Sequence, residues 1–223
     1  MTRTTALAIA VLLFASALGY WGVSGYRKGQ QQKAVSALVG DASQRLESAL
    51  ALETEASAAS SQQTVNKLDE QAQEVDRHVM ELHDMSSGPN RALVAAADDY
   101  LLTVRQILRQ QAASHRYRLQ VAASDTALRE HMGAAGRRSG AWINEAVRMK
   151  DRLERNYFDY RVSAEALDRL LAAYPDSRKK LVAQLGMPLL ADEAVEDARR
   201  RSAATLKRIS ASVEQARQLA AVH

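Results

Sequence analysis

The sequence contains no cysteine, and only five of its 223 residues are histidine. The lack of cysteine excludes disulfides, thiolate metal sites, c-type haem attachment and cysteine nucleophiles. It does not fix the compartment, because a cysteine-free chain suits the periplasm as well as the cytoplasm. Phosphate-cradling glycine loops, a nucleophile elbow and Ser-His-Asp spacing are also missing. The sequence therefore predicts a protein that is not an enzyme and has no cofactor.

Residues that interrupt helices are scarce as well. The chain has 3 prolines and 10 glycines, and aromatic residues make up 5% of it. Alanine, leucine, arginine, glutamine and glutamate dominate, and these residues lose little conformational freedom in a helix. Strands would need more β-branched and aromatic residues. The composition predicts an all-α fold.

One long uncharged apolar segment is present, at residues 5–26. As a helix it would span roughly 33 Å, enough to cross the core of a bilayer. Aromatic and basic side chains gather at its far end, as is typical of a membrane interface; they are Tyr20, Trp21, Tyr26, Arg27 and Lys28. We expect residues 1–33 to form an N-terminal transmembrane anchor with a basic collar.

A cleaved signal peptide is the alternative for this segment. Ala15-Ser16-Ala17 forms a small-residue cleavage site after the apolar run 6–14. The apolar character continues to Val23, however, and only Arg3 precedes the run, so we favour a retained anchor. A short N-terminal tail favours export of the rest of the chain. The expected location is the inner membrane, with a single span and the body in the periplasm.

The positive charge is concentrated around this segment. The isoelectric point is about 9.4, but four basic residues, Arg3, Arg27, Lys28 and Lys33, flank the apolar run. Without them the chain has 26 basic and 26 acidic side chains. A neutral body lacks the clustered basic face that phosphate binding requires. The charge pattern predicts a membrane surface as a partner and no nucleic acid.

The body, residues 34–223, shows helical periodicity in its apolar residues. A first helix is predicted from Lys33 to the turn at 86–90, with two coiled-coil-like seams that are out of phase across the polar stretch 53–67. The seams are Val35, Val39, Ala42, Leu46 and Ala49, then Leu68, Ala72, Val75, Val79 and Leu82. As one continuous helix it would reach about 75 Å.

Three more long helices are predicted. The second covers 91–132, and the glycines between 133 and 140 leave open a turn or a weakened continuous helix. The third covers 141–174 and ends at Pro175, with a short helical link at 177–185. The last covers 191–222. Four such helices predict an elongated antiparallel bundle, and their small seam residues favour a homo-oligomer, because another copy would add buried area.

One cluster has the composition of a metal site. His78, Met80, His83 and Met85 precede the turn at 86–90, and imidazole with thioether is a ligand set that suits copper. Five residues separate the two histidines, which places them about 140° apart around a helix. An exposed helix end with methionine filling a gap is the alternative interpretation.

A second cluster has the composition of a ligand pocket. Aromatic residues and arginines concentrate in the second and third helices; the candidates are Arg105, Arg109, Tyr117, Trp142, Tyr157 and Tyr160. Arginine could clamp a small carboxylate while the rings stack on it. Alternatively, the aromatic residues fill the bundle core and the arginines pair with acids at the surface.

The leading functional hypothesis is a membrane-anchored scaffold or accessory subunit that binds protein partners in the cell envelope. A second hypothesis is an extracytoplasmic ligand sensor that works with a membrane partner. In general plan only, the architecture resembles the helical-bundle sensor domains of bacterial chemoreceptors, but we expect neither a second span nor a signalling region. A third hypothesis is a periplasmic copper- or haem-handling protein based on His78 to Met85.

Overall fold

The computed structural model describes residues 3–55, 62–134 and 139–221, and side chains within 26–52, 62–134 and 139–220. These ranges form five helices and no strand: α1 (Arg3–Glu55), α2 (Gln62–Asp84), α3 (Arg91–Gly133), α4 (Gly140–Leu185) and α5 (Asp192–Ala221). The prediction of an all-α helical bundle is confirmed for this part of the chain. At 43 residues, α3 is about 65 Å long, so the bundle is elongated.

The prediction of one continuous first helix is wrong. His78 of α2 lies 2.6 Å from Asp41 of α1, and Gln31 of α1 donates to the carbonyl of Met85 at 2.9 Å. These pairings are antiparallel, so α2 returns along α1 instead of extending it. The out-of-phase seams have a simple cause: Leu46 and Leu68 belong to two helices, and both are fully buried in the same core.

Gln31 fixes the turn between α2 and α3. Its side-chain oxygen accepts from the backbone N–H of Asn90 at 2.9 Å, while its amide nitrogen donates to Met85 on the other side of the turn. Gly88 lies against this amide, and a Cβ atom there would collide with the Gln31 side-chain amide. A larger residue at position 88 would therefore displace the Gln31 amide from its two hydrogen bonds. Residues 26–30, directly before Gln31, are exposed.

The relative direction of α3 and α4 answers the question that the glycines left open. Gln110 donates to Ser163 and Asn156 donates to Ser124, at 2.8 and 2.7 Å, so α4 runs antiparallel to α3. Ser139 caps the start of α4 by accepting from the backbone N–H of Trp142 at 3.2 Å. Arg199 with Asp168 and Arg217 with Glu154 place α5 antiparallel to α4.

Pro175 does not end the third predicted helix. It lies inside α4, which continues to Leu185 and ends at Gly186 in the left-handed conformation. A proline inside a helix costs about 3 kcal/mol through its lost N–H and its ring clash. Packing offsets this cost, because Leu171, Tyr174 and Leu181 are buried along one face on both sides of the proline. The Tyr174 hydroxyl also donates to the carbonyl of Leu190 at 3.1 Å.

Two apolar cores follow one another along the bundle. The main core joins α1, α2, the first half of α3, the second half of α4 and the start of α5. The second core joins the remaining halves of α3, α4 and α5. Between them α3 carries buried polar side chains, here called the polar belt: Gln111, Ser114, His115 and Arg118. Hydrogen bonds from Gln111 to Ala49 and from Arg118 to His115 satisfy part of this belt.

Within the part of the chain that the structure describes, no helix is long and apolar enough to cross a membrane. The predicted membrane segment, residues 5–26, has only Tyr26 among the described side chains. The anchor therefore stays a prediction. The bundle itself begins near Gln31, close to the predicted boundary at residue 33.

Candidate functional site

The four residues of the predicted copper cluster point in different directions. His78 packs between helices and contacts the carboxylate of Asp41, and its side chain is only 14% exposed. Met80 is 61% exposed, whereas Met85 packs against the main core. His83 is exposed and lies 3.4 Å from Asp98 of α3. The structure thus places the two histidines on separate carboxylates of separate helices.

Asp41 has a perturbed carboxyl group. Partial burial acts to raise its pKa, but hydrogen bonds from Arg45 and His78 and the charges of these residues outweigh burial, so the pKa lies below its ordinary value. An aspartate and a histidine paired in this way connect α1 to α2. We assign this contact a structural role, because each partner already has a hydrogen bond inside the bundle.

Two arginines of the predicted ligand pocket share one carboxylate. Arg105 and Arg109 of α3 both pair with Asp76 of α2, the former at 3.1 Å. Neither points toward the aromatic residues of the second core. Both arginines pair with the carboxylate of Asp76, which agrees with the alternative interpretation that these arginines pair with acids at the surface.

The aromatic candidates lie elsewhere. Tyr160 is buried in the second core, and Tyr117 and Tyr157 pack against it. Trp142 stacks on His131 with ring centroids 4.8 Å apart. Since Arg109 and His131 are 22 residues apart on α3, about 33 Å of helix separates the arginines from the tryptophan. The structure therefore does not bring the six candidates into one pocket.

The predicted membrane-interface residues fall at the start of the described side chains. Tyr26 is 69% exposed, and Arg27 and Lys28 are exposed beside it. The side chains of Tyr20 and Trp21 lie outside the described ones.

The most distinctive surface feature lies on α4, and we call it the α4 stripe: Ile143, Val147, Phe158 and Val162. These side chains are between 44% and 54% exposed. At 100° per residue they fall within a sector of about 100°, whose centre is roughly 140° away from the buried residues Leu153 and Tyr160. A bundle helix normally has one apolar face. Here α4 has a second one, directed away from its own core.

Charges of both signs interrupt the middle of the stripe. Lys150 and Asp151 lie one turn before Glu154 and Arg155. Glu154 is 3.3 Å from Arg217 of α5, whereas Asp151 and Arg155 are exposed and form no ion pair within the described ranges. Arg161 covers the ring of Phe158 at 5.5 Å. The α4 stripe therefore consists of two apolar patches, Ile143 with Val147 and Phe158 with Val162, separated by charges of both signs.

A shallow groove continues the stripe at the end of the bundle far from Gln31. It is lined by Met132, Trp142, Ile143, Ala146, Val147, Lys150 and Ala220. Leu219, beside Ala220 on α5, is 45% exposed. Of α5, Ala220 lines the groove itself. Surface patches of this kind commonly mark interaction sites.

Sequence reasoning missed the α4 stripe, although its signal was present. Ile143 and Val147 are four residues apart, as are Phe158 and Val162, which places both pairs on one helix side. Tyr157 and Tyr160, which lie between stripe residues in the sequence, were instead predicted to line a ligand pocket. A second apolar stripe becomes recognisable only when the buried side of the helix is known.

No group of three or more histidine, aspartate or glutamate side chains suited to a metal ion occurs among the described residues. No known family model, curated protein or solved structure matches the chain.

Proposed function

We propose that this protein is a membrane-anchored, non-enzymatic helical bundle that acts as a scaffold or accessory subunit by binding protein partners. The single observation that supports it most is the α4 stripe, since four large apolar side chains lie about half exposed on a helix that already buries its opposite face. Covering a half-exposed valine or phenylalanine releases on the order of 1 kcal/mol per side chain. A partner helix would supply that cover.

The anchor is the second part of the proposal. Residues 5–26 form an uncharged apolar segment followed by Tyr26, Arg27 and Lys28, and the bundle begins near Gln31. This arrangement would hold the bundle close to a bilayer, with the body in the periplasm and the segment in the inner membrane. The α4 stripe would then face along the membrane surface toward neighbouring proteins.

Photo-crosslinking in native membranes tests the proposal. A photoreactive phenylalanine analogue is placed at Val147 or Phe158 in the full chain, with Met80, exposed on α2, as the matched control position. We expect discrete adducts from the two stripe positions and none from position 80. Equal adduct yields at all three positions, or none at any, would refute a specific surface on α4.

Alkaline extraction of the same membranes tests the anchor separately. The full chain should remain with the lipid, and a chain starting at Gly29, which keeps Gln31, should be released. Release of both forms would remove the anchor from the proposal without affecting the crosslinking result.

A further inference from the structure

The centre of the α4 stripe carries a charge pattern that complements itself. Lys150 and Glu154 lie on one side of the stripe, while Asp151 and Arg155 lie on the other, as the 100° step of the helix requires. When two copies pack their stripes together with parallel helices, the side of the first stripe with Lys150 and Glu154 contacts the side of the second with Asp151 and Arg155. Lys150 then lies near Asp151 of the second copy at almost the same height, and Glu154 near Arg155.

We propose that the α4 stripe binds a second copy of this chain, with the two α4 helices parallel and in register. The apolar residues then pair with their own counterparts: Ile143, Val147, Phe158 and Val162 each lie close to the dyad. Two-fold symmetry repeats both charge pairs, giving four attractive contacts around two apolar patches. Asp151 and Arg155, which have no ion-pair partner inside the described chain, gain one.

The orientation follows from the anchor, so this inference rests on the proposed function. Charge alone permits an antiparallel pair too, because Asp151 would then face Arg155. Two chains anchored in one bilayer, however, begin their bundles at the same membrane surface. Their α4 helices must therefore run in the same direction.

Single cysteines test the arrangement without background, because the chain has none of its own. Val147→Cys and Phe158→Cys are made in the full chain in membranes, with Met80→Cys as the exposed control. A disulfide requires Cα atoms about 4.4–6.8 Å apart, so only closely facing positions can link. We expect each stripe variant to form a covalent dimer on mild oxidation, and the control to stay monomeric.

Three results would overturn the inference. Stripe variants that stay monomeric exclude a second copy, and a control that links as efficiently shows random collision. Linkage that appears only when Val147→Cys and Phe158→Cys chains are mixed shows an antiparallel pair. If no disulfide-linked dimer forms but photo-crosslinking at Val147 gives adducts to a different protein, the proposed function is supported and the second-copy inference is wrong.

Charge reversal provides a measurement that does not depend on oxidation. Asp151→Lys should place like charges at both symmetric contacts and weaken dimerisation roughly tenfold. The double exchange Lys150→Asp with Asp151→Lys restores opposite charges and should return the dimer to near its original strength. Equal weakening by the single and double variants would contradict the parallel register.

Discussion

At the scale of single residues, the most informative pair is Tyr100 and Tyr174. Both are fully buried in the main core, and their hydroxyl oxygens lie 3.3 Å apart. Burial raises the pKa of both hydroxyl groups. Tyr100 raises the pKa of Tyr174 further, whereas the hydrogen bonds of Tyr100 with Ser43 and Tyr174 lower its own pKa without outweighing burial. The Tyr174 hydroxyl also bonds to Leu190, which ties the α4–α5 connection to the core.

This pair predicts a loss of stability at high pH. A tyrosine whose folded pKa is raised stabilises the protein fully below the unfolded pKa of about 10, and the contribution disappears as pH rises beyond it. The free energy of unfolding of the wild type should therefore fall between pH 10 and 11. In the Tyr100→Phe/Tyr174→Phe double variant the fall should be smaller.

Urea unfolding at pH 7, 10 and 11 measures this difference. Tyr157→Phe, which removes one hydroxyl at the edge of the second core, is the control and should retain the wild-type pH dependence. At pH 7 the double variant should lose about 1–3 kcal/mol, since the Leu190 carbonyl is left without its donor. An identical fall in all three proteins would contradict the assigned role of the pair.

At the scale of elements, the turn between α2 and α3 depends on one amide from α1. Gln31→Ala removes both of its hydrogen bonds, and we expect a loss of about 1–3 kcal/mol because Asn90 N–H and Met85 C=O lose their partner. Gly88→Ala should also destabilise, since its Cβ would collide with the Gln31 amide.

The two changes should not be additive. With alanine at position 31 the space beside Gly88 is open, so Gly88→Ala should cost much less in that background than in the wild type. Chemical unfolding of the four proteins of this double-mutant cycle provides the measurement. Strictly additive losses would show that the Gln31 amide does not constrain the turn.

A second prediction at this scale concerns Pro175. Its place inside α4 means that alanine should fit the same backbone and restore a helix N–H, raising the free energy of unfolding by roughly 1–3 kcal/mol. Asp176→Ala, on the exposed side next to it, should change stability by no more than about 0.5 kcal/mol. A destabilised Pro175→Ala variant in thermal unfolding would mean that the proline shapes α4 instead of being tolerated by it.

The helices show where prediction from the sequence succeeds and where it fails. Regular spacing predicted α3 and α5, whose observed bounds, Arg91–Gly133 and Asp192–Ala221, lie within one residue of the predicted 91–132 and 191–222. It failed at Pro175 because local propensity cannot register the packing of Leu171 and Leu181 on both sides. It also joined α1 to α2, because a polar stretch without proline or glycine gives no local sign that the chain reverses.

The candidate site was less predictable than the fold for a related reason. His78 and His83 are close in the sequence, but the direction of each side chain depends on the helices that surround it. The same is true of Arg109 and Trp142, which lie on different helices. Composition can indicate which side chains are available for chemistry. Only the packing of α2 on α3 assigned Arg105 and Arg109 to Asp76.

At the scale of the whole molecule, the bundle has two cores with a polar belt between them. Gln111 is 1% exposed and donates to the carbonyl of Ala49 at 2.8 Å, which fixes the height of α1 against α3. The main core lies at the end where α1 enters, and the second core supports the α4 stripe at the other end. The molecule thus separates a predicted attachment end from a candidate binding end.

We expect another protein chain to cover the α4 stripe when this protein is anchored in its native membrane. The most direct measurement is the reaction rate of a membrane-impermeant maleimide with Val147→Cys, Phe158→Cys and Met80→Cys in spheroplasts of the native host. We predict that positions 147 and 158 react at least tenfold more slowly than position 80, and that dilution in detergent abolishes the difference. Equal, rapid labelling of all three positions in the membrane would contradict the account.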